Sequence, residues 1–530
     1  MATVVEKLLA LSIGSYVTFW ILSGLSITAN LSILATLLFY VYSIYPFIVF
    51  RRDGIPGPVP WPIIGTMFAI FRKGVTEADK ESLSKYGGMV GTYEGRTPAL
   101  LVMDQDMLKQ ILIKEFHYFQ NRRGGNMGFP MRKSLPSLRG NEWKQIRSRL
   151  TPFFSNAKLK NLIPRVTVCA KIMTENLRYA TKTEKVLDLT SFCRSFSMDS
   201  IAATSFGLSI DSQNSKSDPF VIHADKIFNF RPSVLLSSLM LLLPSSYPYL
   251  QKMGFHMFPK ESATFFVKVL DDTIKQRLDS EENQGDFLQM MLHLNEKEKL
   301  QNGRNHDKTF HNNAKGFSHE EILAQCIVFL LAGYETTATT LTMATYCLAT
   351  NLEYQEKVFE EISEIWDGKS LLTMEQLAEM KFLDCFLQEV LRYYPPVTRV
   401  NRICSSDISI NSHKIRKGTV VVIPIYSIHH DSTCWENPHH FIPDRFSHSD
   451  KQSNSNSNNS LKWLPFGGGP RHCVGMRLAM MELKIVLSHL LFNFLFLPCD
   501  KTQIPLKFTK RPILQPEKGV FVRLESRNKL

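Results

Sequence analysis

The sequence has few features of a disulfide-stabilised or zinc-binding protein. Its 530 residues include nine cysteines, an odd number, and no two of them form a Cys-x-x-Cys pair. An odd count without close pairs is a poor disulfide framework, and the missing Cys-x-x-Cys argues against a structural zinc site. We therefore expect most cysteines to be small buried residues in a reducing compartment. A cysteine with unusual neighbours would stand apart from the others.

Acidic residues are also scarce, because 49 Asp and Glu stand against 62 Lys and Arg, a formal net charge of +13. This excess is compatible with a membrane surface, a nucleic acid or an acidic protein partner, and it does not choose among them. Hydrophobic residues make up 44% of the chain and charged residues 21%. These values are typical of a globular protein with a sizeable core, so a disordered chain, a collagen and a disulfide miniprotein are excluded.

Charged residues and histidines are missing between Lys7 and Arg51. This run exceeds the ~20 residues that cross the hydrocarbon core of a bilayer, and it is too long for the apolar part of a cleaved signal peptide. Its best span is about Leu31 to Phe50, and the alternative is a buried helix of a soluble protein. Arg51 and Arg52 follow directly, which predicts that the chain after them is cytosolic. Whether residues 8–25 form a second span or lie in the interface stays open.

The rest of the chain predicts one folded body. Four prolines between residues 56 and 62 prevent a helix, and we interpret them as a stiff spacer rather than an ordinary loop. We therefore divide the chain into an anchor, residues 1–52, and a body, residues 53–530. Helical periodicity dominates the body, so the predicted fold class is mainly α with small peripheral sheets. Strand-like runs occur at Val90–Tyr93, Ala99–Met103, Asp407–Ile410 and Thr419–Ile423.

One apolar stretch of the body, Val234–Tyr249, is too short to span a bilayer and contains Pro244. It is compatible with a core helix and equally with an apolar lip that dips into the membrane. The sequence leaves both alternatives open.

Cys473 is the cysteine with unusual neighbours. It follows a loop with three consecutive glycines and precedes an apolar helical pattern that ends near Phe494. A helix N-terminus and the nearby Arg471 both stabilise a thiolate. Such a thiolate is either a nucleophile or a metal ligand. A phosphatase-type nucleophile would need a phosphate-binding loop after the cysteine, so an axial ligand of haem iron suits the pattern better.

The segment Phe466-x-x-Gly469-x-Arg471-x-Cys473-x-Gly475 resembles the haem-ligand signature FxxGxRxCxG of the cytochrome P450 family. Within that family the chain is most similar to the microsomal family-3 type and to thromboxane synthase. The resemblance implies a cytochrome P450 fold, in which residues 53–530 are a haem-thiolate catalytic domain. It also implies haem b as the cofactor, Cys473 as the iron ligand and Phe466 beside the haem.

Further motifs follow in the order that the family has them. Ala332–Thr337 resembles the oxygen-binding motif, and it lies in a predicted helix from about Ser318 to Ala349 with a Ser318–Glu321 capping box. The remaining matches fall into two groups. Glu389, Arg392 and Arg445 resemble the structural ion network of the family, and Trp143, Arg147, Arg122, Arg402 and Arg471 resemble its haem-propionate partners.

The resemblance implies a monooxygenase that inserts one atom of O2 into a lipophilic substrate such as a steroid, a fatty acid or a xenobiotic. Thr336 and Glu335 would be its catalytic alcohol and acid. The sequence has no flavin or nicotinamide motif, so electrons would come from NADPH-cytochrome P450 reductase, with cytochrome b5 as a further partner. Candidate docking residues are Lys144, Lys414, Arg416 and Lys417. The implied location is the endoplasmic reticulum membrane, with a single span, a cytosolic catalytic domain and no nucleic-acid partner.

Two other functions stay open at this point. One is an isomerase that rearranges a peroxide, as thromboxane synthase does. The retained Thr336 and Thr337 favour the monooxygenase over that isomerase. The other is a non-catalytic haem-binding membrane protein, which the complete set of motifs argues against.

Overall fold

The described part of the chain is a helical body with small sheets at its edge. The computed structural model describes residues 26–123, 128–215, 217–229, 249–250, 253, 259–279, 285–304, 316–447, 461–511 and 513–527. The α-helices are α1 Ile27–Ile44, α2 Ile48–Arg52, α3 Met67–Lys73, α4 Val75–Tyr86, α5 Gln105–Lys109, α6 Gly140–Leu150, α7 Asn156–Lys160, α8 Ile163–Thr183, α9 Leu189–Phe206, α10 Pro219–Asn229, α11 Lys260–Asp279, α12 Phe287–Arg304, α13 His319–Thr350, α14 Leu352–Ile365, α15 Met374–Glu379, α16 Lys381–Tyr393, α17 Ile425–His429 and α18 Met476–Asn493. The strands are β1 Met89–Glu94, β2 Thr97–Val102, β3 Leu187–Asp188, β4 Val400–Ile403, β5 Ile408–Ile410, β6 His413–Ile415, β7 Val420–Ile423, β8 Phe494–Leu497 and β9 Phe521–Ser526.

Helix α13 runs through the core of the body. The Ser318 hydroxyl accepts a hydrogen bond from the Glu321 amide, while the Glu321 carboxylate accepts one from the Ser318 amide. This capping box satisfies free N–H donors of the first turn. The predicted helix and its capping box are therefore confirmed. Helices α9 and α18 both pack against α13, which is why most of its residues are buried.

The largest sheet has the strand order β1–β2–β7–β4. Strands β1 and β2 are antiparallel, whereas β2 and β7 are parallel. Every residue of β7 is buried, because apolar clusters cover both faces of the strand. The four predicted strand-like runs coincide with β1, β2, β5 and β7, so the prediction of small sheets is confirmed.

An apolar helical segment, Ile27–Arg52, precedes the body. It is long and apolar enough to cross a membrane, and only 11% of its apolar window is buried in the protein. Helix α13 meets the same criteria of length and composition, but it is a buried core helix. The predicted span Leu31–Phe50 lies within Ile27–Arg52, which makes this segment the candidate anchor. Residues 8–25 and nearly all of Val234–Tyr249 lie outside the described residues.

The end of this apolar segment is packed into the body. Phe50 is only 4% exposed, and its ring centroid lies 5.2 Å from that of Tyr93. The Tyr93 hydroxyl donates to the Phe47 carbonyl at 2.9 Å. The Phe50 ring can approach β1 this closely because Gly91 has no side chain.

The proline-rich segment lies against the same sheet. The Pro56 carbonyl accepts a hydrogen bond from the Gly91 amide at 2.8 Å. Just before it, Asp53 accepts two hydrogen bonds from the Arg416 guanidinium, at 2.6 and 2.9 Å. The structure therefore differs from the predicted free-standing spacer, because these contacts fix the chain to the sheet on both sides of its first proline.

A buried carboxyl group lies between α9 and α18. Glu482 is 2% exposed, and it shares a 2.8 Å hydrogen bond with the Ser200 hydroxyl. Burial raises the pKa of Glu482 to about 7, and the bond from Ser200 only partly opposes this rise. The folded protein therefore keeps this proton at a pH where the unfolded chain has lost it.

We expect Glu482→Gln to remove a pH-dependent loss of stability. As the pH rises from about 4.5 to about 7, the unfolded state gains by ionising Glu482 and the folded state does not, so folding stability falls. A shift of this size corresponds to ~3 kcal/mol over the whole range. The variant should therefore gain thermal stability relative to the parent at pH 8 and little at pH 5. The control is Glu379→Gln, at an exposed glutamate. An effect of Glu482→Gln that is equal at both pH values would contradict this account.

Candidate active site

The loop before α18 presents Cys473. Gly469 has a φ of +67° and lies against the Leu112 carbonyl, so a side chain at this position would clash. The Cys473 amide closes the loop with a 2.8 Å hydrogen bond to the Phe466 carbonyl. Cys473 is the single exposed cysteine of the nine, and six others are buried. The prediction that most cysteines are buried is therefore confirmed.

Opposing influences act on the Cys473 thiol. It faces an open pocket of about 600 Å³, which Arg147 also lines. Desolvation by the surrounding protein raises the pKa of the thiol, while the backbone N–H groups of Gly475 and Met476 lower it. Positive charge from Arg147 and Arg122 lowers the pKa as well. The start of α18 and these arginines therefore stabilise a thiolate at this position.

Arginines converge on this loop from distant parts of the chain. They are Arg122, Arg147 on α6, Arg402 on β4 and Arg471. The Arg122 guanidinium donates to the Arg471 carbonyl at 2.9 Å, and the Arg147 guanidinium donates to the His472 carbonyl at 3.0 Å. Arg402 is fully buried. The structure thus brings together the four arginines that the sequence predicted as propionate partners.

These four arginines fit haem. Among the described residues, no carboxylate forms a salt bridge with any of them. Desolvation and the repulsion between these cations lower the pKa of Arg402 and of Arg471 to about 9. The Nε atoms of Arg122 and Arg402 are buried without a hydrogen-bond partner. Buried cations and free donors are costly unless an anion lies beside them, so this surface suits a flat group that carries carboxylates above a thiolate.

Arg471 and Trp143 support the loop from within the protein. The Arg471 guanidinium donates to the carbonyls of Gln120 at 3.0 Å and Leu138 at 2.8 Å. It also stacks on the Trp143 ring, 4.1 Å from the centroid. Most of its donors therefore bind backbone, which fixes the loop that carries Cys473. Direct contacts of Arg471, Trp143 and Phe466 with a cofactor stay predictions.

The middle of α13 has an open face. Ala332 is exposed and Thr336 is half-buried, although most of the helix is buried. The Thr336 hydroxyl donates to the Ala332 carbonyl at 2.7 Å. Gly333 has a different role from the one predicted, because a Cβ there would strike Ile201 of α9. Its missing side chain lets α9 approach α13 and does not leave room for O2.

Glu335 does not form the predicted pair with Thr336. Its carboxylate is 3% exposed and accepts hydrogen bonds from Arg194 at 3.2 Å and from Gln515. Successive side chains on an α-helix point about 100° apart, so the acid and the alcohol face different surroundings. Arg194 and Gln515 lie in no recognisable motif, and sequence reasoning missed them.

Glu389, Arg392 and Arg445 lie together below the thiolate loop. Arg392 donates two hydrogen bonds to the Glu389 carboxylate, at 2.7 and 2.8 Å, and Arg445 donates one at 3.2 Å. Both Glu389 and Arg392 are fully buried. Asp444 is exposed, so the network does not depend on it. The structure brings the three side chains together, and their structural role stays a prediction.

His429 connects this network to the thiolate loop. Its Nδ1 lies 3.0 Å from the Arg392 carbonyl, and its Nε2 accepts a hydrogen bond from the Leu464 amide at 2.8 Å. Burial lowers the pKa of His429, so the neutral ring donates through Nδ1 and accepts through Nε2. The Leu464 carbonyl in turn accepts from the Gly467 amide. A single histidine outside a motif gives no sequence signal for this connection.

Known proteins match the chain over most of its length. Residues 55–524 match the family model for cytochrome P450. Cytochrome P450 3A12 of Canis lupus familiaris is 39% identical over 500 residues, which cover 93% of this chain and 96% of the relative. Cytochrome P450 3A11 of Mus musculus is 39% identical over 514 residues, which cover 96% and 98%. The chain belongs to the cytochrome P450 family.

Family membership establishes the class of enzyme. The protein is a haem-thiolate monooxygenase with the cytochrome P450 fold, and its cofactor is haem with an axial cysteine thiolate. The predicted resemblance to the family-3 type is confirmed by the 3A relatives. An enzyme of this type uses redox partners and lipophilic substrates in general.

Proposed function

We propose that this enzyme inserts one oxygen atom from O2 into a steroid, a fatty acid or a xenobiotic, with electrons that NADPH supplies through a reductase. The observation that carries this proposal is the pairing of a thiolate loop with the open face of α13. Cys473 is the proposed iron ligand, since it alone among the nine cysteines is exposed and lies at a helix N-terminus. Haem bound there through a thiolate supplies the cleavage of the O–O bond.

The remaining residues of the site bind, hold or move protons. Arg122, Arg147 and Arg402 offer guanidinium groups to the haem carboxylates, which would relieve the crowded positive charge. Arg471 and Trp143 hold the loop. Thr336 presents a hydroxyl on the open face of α13, where a proton can be passed to reduced oxygen. Ala332, one turn earlier, keeps that face free of a larger side chain.

Electrons have to enter from the thiolate side. Arg147 and the exposed Arg477 line the pocket that contains Cys473, and no carboxylate lines it. Lys144 is exposed on α6, the helix that carries Arg147. This basic surface supports docking of NADPH-cytochrome P450 reductase and of cytochrome b5, both expected to present acidic faces. Two other predicted docking residues are engaged elsewhere, because Arg416 binds Asp53 and Lys414 binds Asp407.

The proposed location is the endoplasmic reticulum membrane, with residues 1–52 as the anchor and residues 53–530 on the cytosolic side. The apolar segment Ile27–Arg52 and the basic pair at its end support this orientation. Protease added to sealed microsomes should therefore digest the catalytic domain. Full protection of the domain would reverse the topology.

The experiment that tests the proposed function is Thr336→Ala in the reconstituted enzyme with reductase and NADPH. A positioned proton donor contributes roughly 10²–10⁴ in rate. The variant should keep consuming NADPH, lose most product and release more hydrogen peroxide, because reduced oxygen departs before its O–O bond is cleaved. Product, NADPH and peroxide are measured in the same reaction.

The control variant is Thr340→Ala, one turn along α13 and buried, where product formation should persist. The isomerase alternative expects a different result. It predicts product from a peroxide substrate under nitrogen, without NADPH or reductase, and equally in Thr336→Ala. That outcome would overturn the monooxygenase proposal.

A further inference from the structure

A charged cluster adjoins the open face of α13 without belonging to any motif of the sequence. Its centre is Arg194 on α9, which is 28% exposed. The same guanidinium nitrogen, Nη2, donates to Asp225 on α10 at 2.5 Å and to Glu335 on α13 at 3.2 Å. One arginine therefore joins three helices at the turn of α13 that carries Thr336.

The surroundings of Arg194 hold its guanidinium in place. Its Cζ lies 5.4 Å from the centroid of the Tyr334 ring, and the Tyr334 hydroxyl donates to Asp225 at 3.1 Å. On the same helix as Arg194, the Ser197 hydroxyl donates to the Tyr334 carbonyl at 2.8 Å. Helices α9 and α13 are thus bonded to each other on both sides of the ion pair.

Glu335 has a second fixed partner in the C-terminal segment. The Arg511 guanidinium donates to the side-chain oxygen of Gln515 at 3.0 Å, so the amide NH2 of Gln515 faces the Glu335 carboxylate and donates to it. One carboxylate oxygen of Glu335 therefore faces a cation and the other an amide. Both contacts favour the ionised carboxylate.

We propose that Arg194 is a positioning residue for the monooxygenase reaction: it divides its charge between Asp225 and Glu335 and thereby sets how firmly Glu335 holds a proton beside Thr336. This inference rests on the proposed function. The titratable and charged groups that face Glu335 are Arg194 and Asp225 from α9 and α10, Tyr334 from its own helix, and Arg511 through Gln515. Arg194 is the one cation among the described residues in direct contact with the carboxylate.

The two acids compete for one nitrogen of Arg194, so their removal and its removal should act in opposite directions. Arg194→Gln leaves the buried Glu335 without its cation, and Glu335 should then keep its proton to a higher pH. Asp225→Asn frees Arg194 for Glu335, which should lose its proton at a lower pH. An arginine that merely fastens α10 to α9 predicts instead that both variants behave alike.

The test uses the full-length, haem-loaded enzyme and two readouts. Infrared spectroscopy follows the carboxylic-acid C=O band that disappears in Glu335→Gln. Its titration midpoint should rise by about one pH unit or more in Arg194→Gln, a tenfold change in proton affinity, and should fall in Asp225→Asn. The pH profile of product formed per NADPH should move in the same two directions. Arg194→Lys, which keeps the charge, should restore the parental midpoint in part.

The matched control is Arg523→Gln, which breaks an exposed arginine–glutamate pair on β9 and should leave both readouts unchanged. Equal midpoints in the parent, Arg194→Gln and Asp225→Asn would overturn the inference, as would shifts in the same direction for both variants. Failure of the proposed function looks different: the parent enzyme would form no O2-dependent product, while the infrared midpoints would still report on Arg194.

Discussion

Replacing Cys473 with serine should abolish the red-shifted Soret band of the reduced carbon monoxide complex. That band requires a thiolate bound to iron, and a serine hydroxyl does not ionise at neutral pH even at a helix N-terminus. The amides of Gly475 and Met476 stabilise a thiolate, but they cannot supply the electron density of sulfur. Monooxygenase activity should fall to background. The spectrum of the dithionite-reduced variant under carbon monoxide checks this prediction.

The matched control for this experiment is Cys434→Ser. Cys434 is half-buried and lies near the Gln105 side chain, 3.6 Å from its Nε2, away from the arginine cluster. Serine is close to cysteine in size, so this variant should fold, bind haem and keep the shifted band. Survival of the band in Cys473→Ser, or its loss in Cys434→Ser, would show that the wrong cysteine has been assigned.

Replacing Glu389 with alanine should leave little haem-loaded protein. The variant strands the fully buried Arg392 and the adjacent Arg445 without their common carboxylate. Removal of one partner from a buried ion pair costs about 3–5 kcal/mol, which is a large part of the 5–15 kcal/mol that stabilises a typical domain. Because His429 links this network to the thiolate loop, the loss should reach the haem site. Haem content per mole of purified protein checks the prediction.

Asp444→Ala is the control for the Glu389 variant. Asp444 is an acidic neighbour in sequence of Arg445, but it is exposed, so its loss should change haem content little. A Glu389→Ala protein that folds well, binds a full complement of haem and forms a different set of products would contradict the structural role. Such a result would place Glu389 in the reaction instead.

The residues that could be predicted from sequence are those whose role depends on spacing along the chain. The approach of Gly469 to Leu112, the start of α18 after Cys473 and the capping box of α13 are all local, so short segments determine them. The pattern of hydrophobic residues likewise determined the mainly α body and its short strands. The site residues that depend on distant partners were less accessible, since Arg194, His429 and Gln515 carry no local signal.

Three predictions from sequence failed for reasons of packing. Gly333 provides space for Ile201 rather than for O2, because α9 approaches α13 more closely than spacing along one helix can reveal. Glu335 faces Arg194 and Gln515 rather than Thr336, because those partners come from segments far away in the chain. The prolines do not form a free spacer, because Phe50 is buried against the sheet that they follow.

The sequence by itself determined the class of enzyme, its cofactor and the cysteine to be tested, because a thiolate loop needs glycines, an arginine and a helix start within a few residues of one another. Only the tertiary structure decided which charges meet. Arg122, Arg147 and Arg402 are far apart in the chain and come together without a carboxylate partner, and Arg194 comes to lie between two acids. The physical reason is that burial and Coulomb interactions depend on distance in space, and short motifs record distance only along the chain.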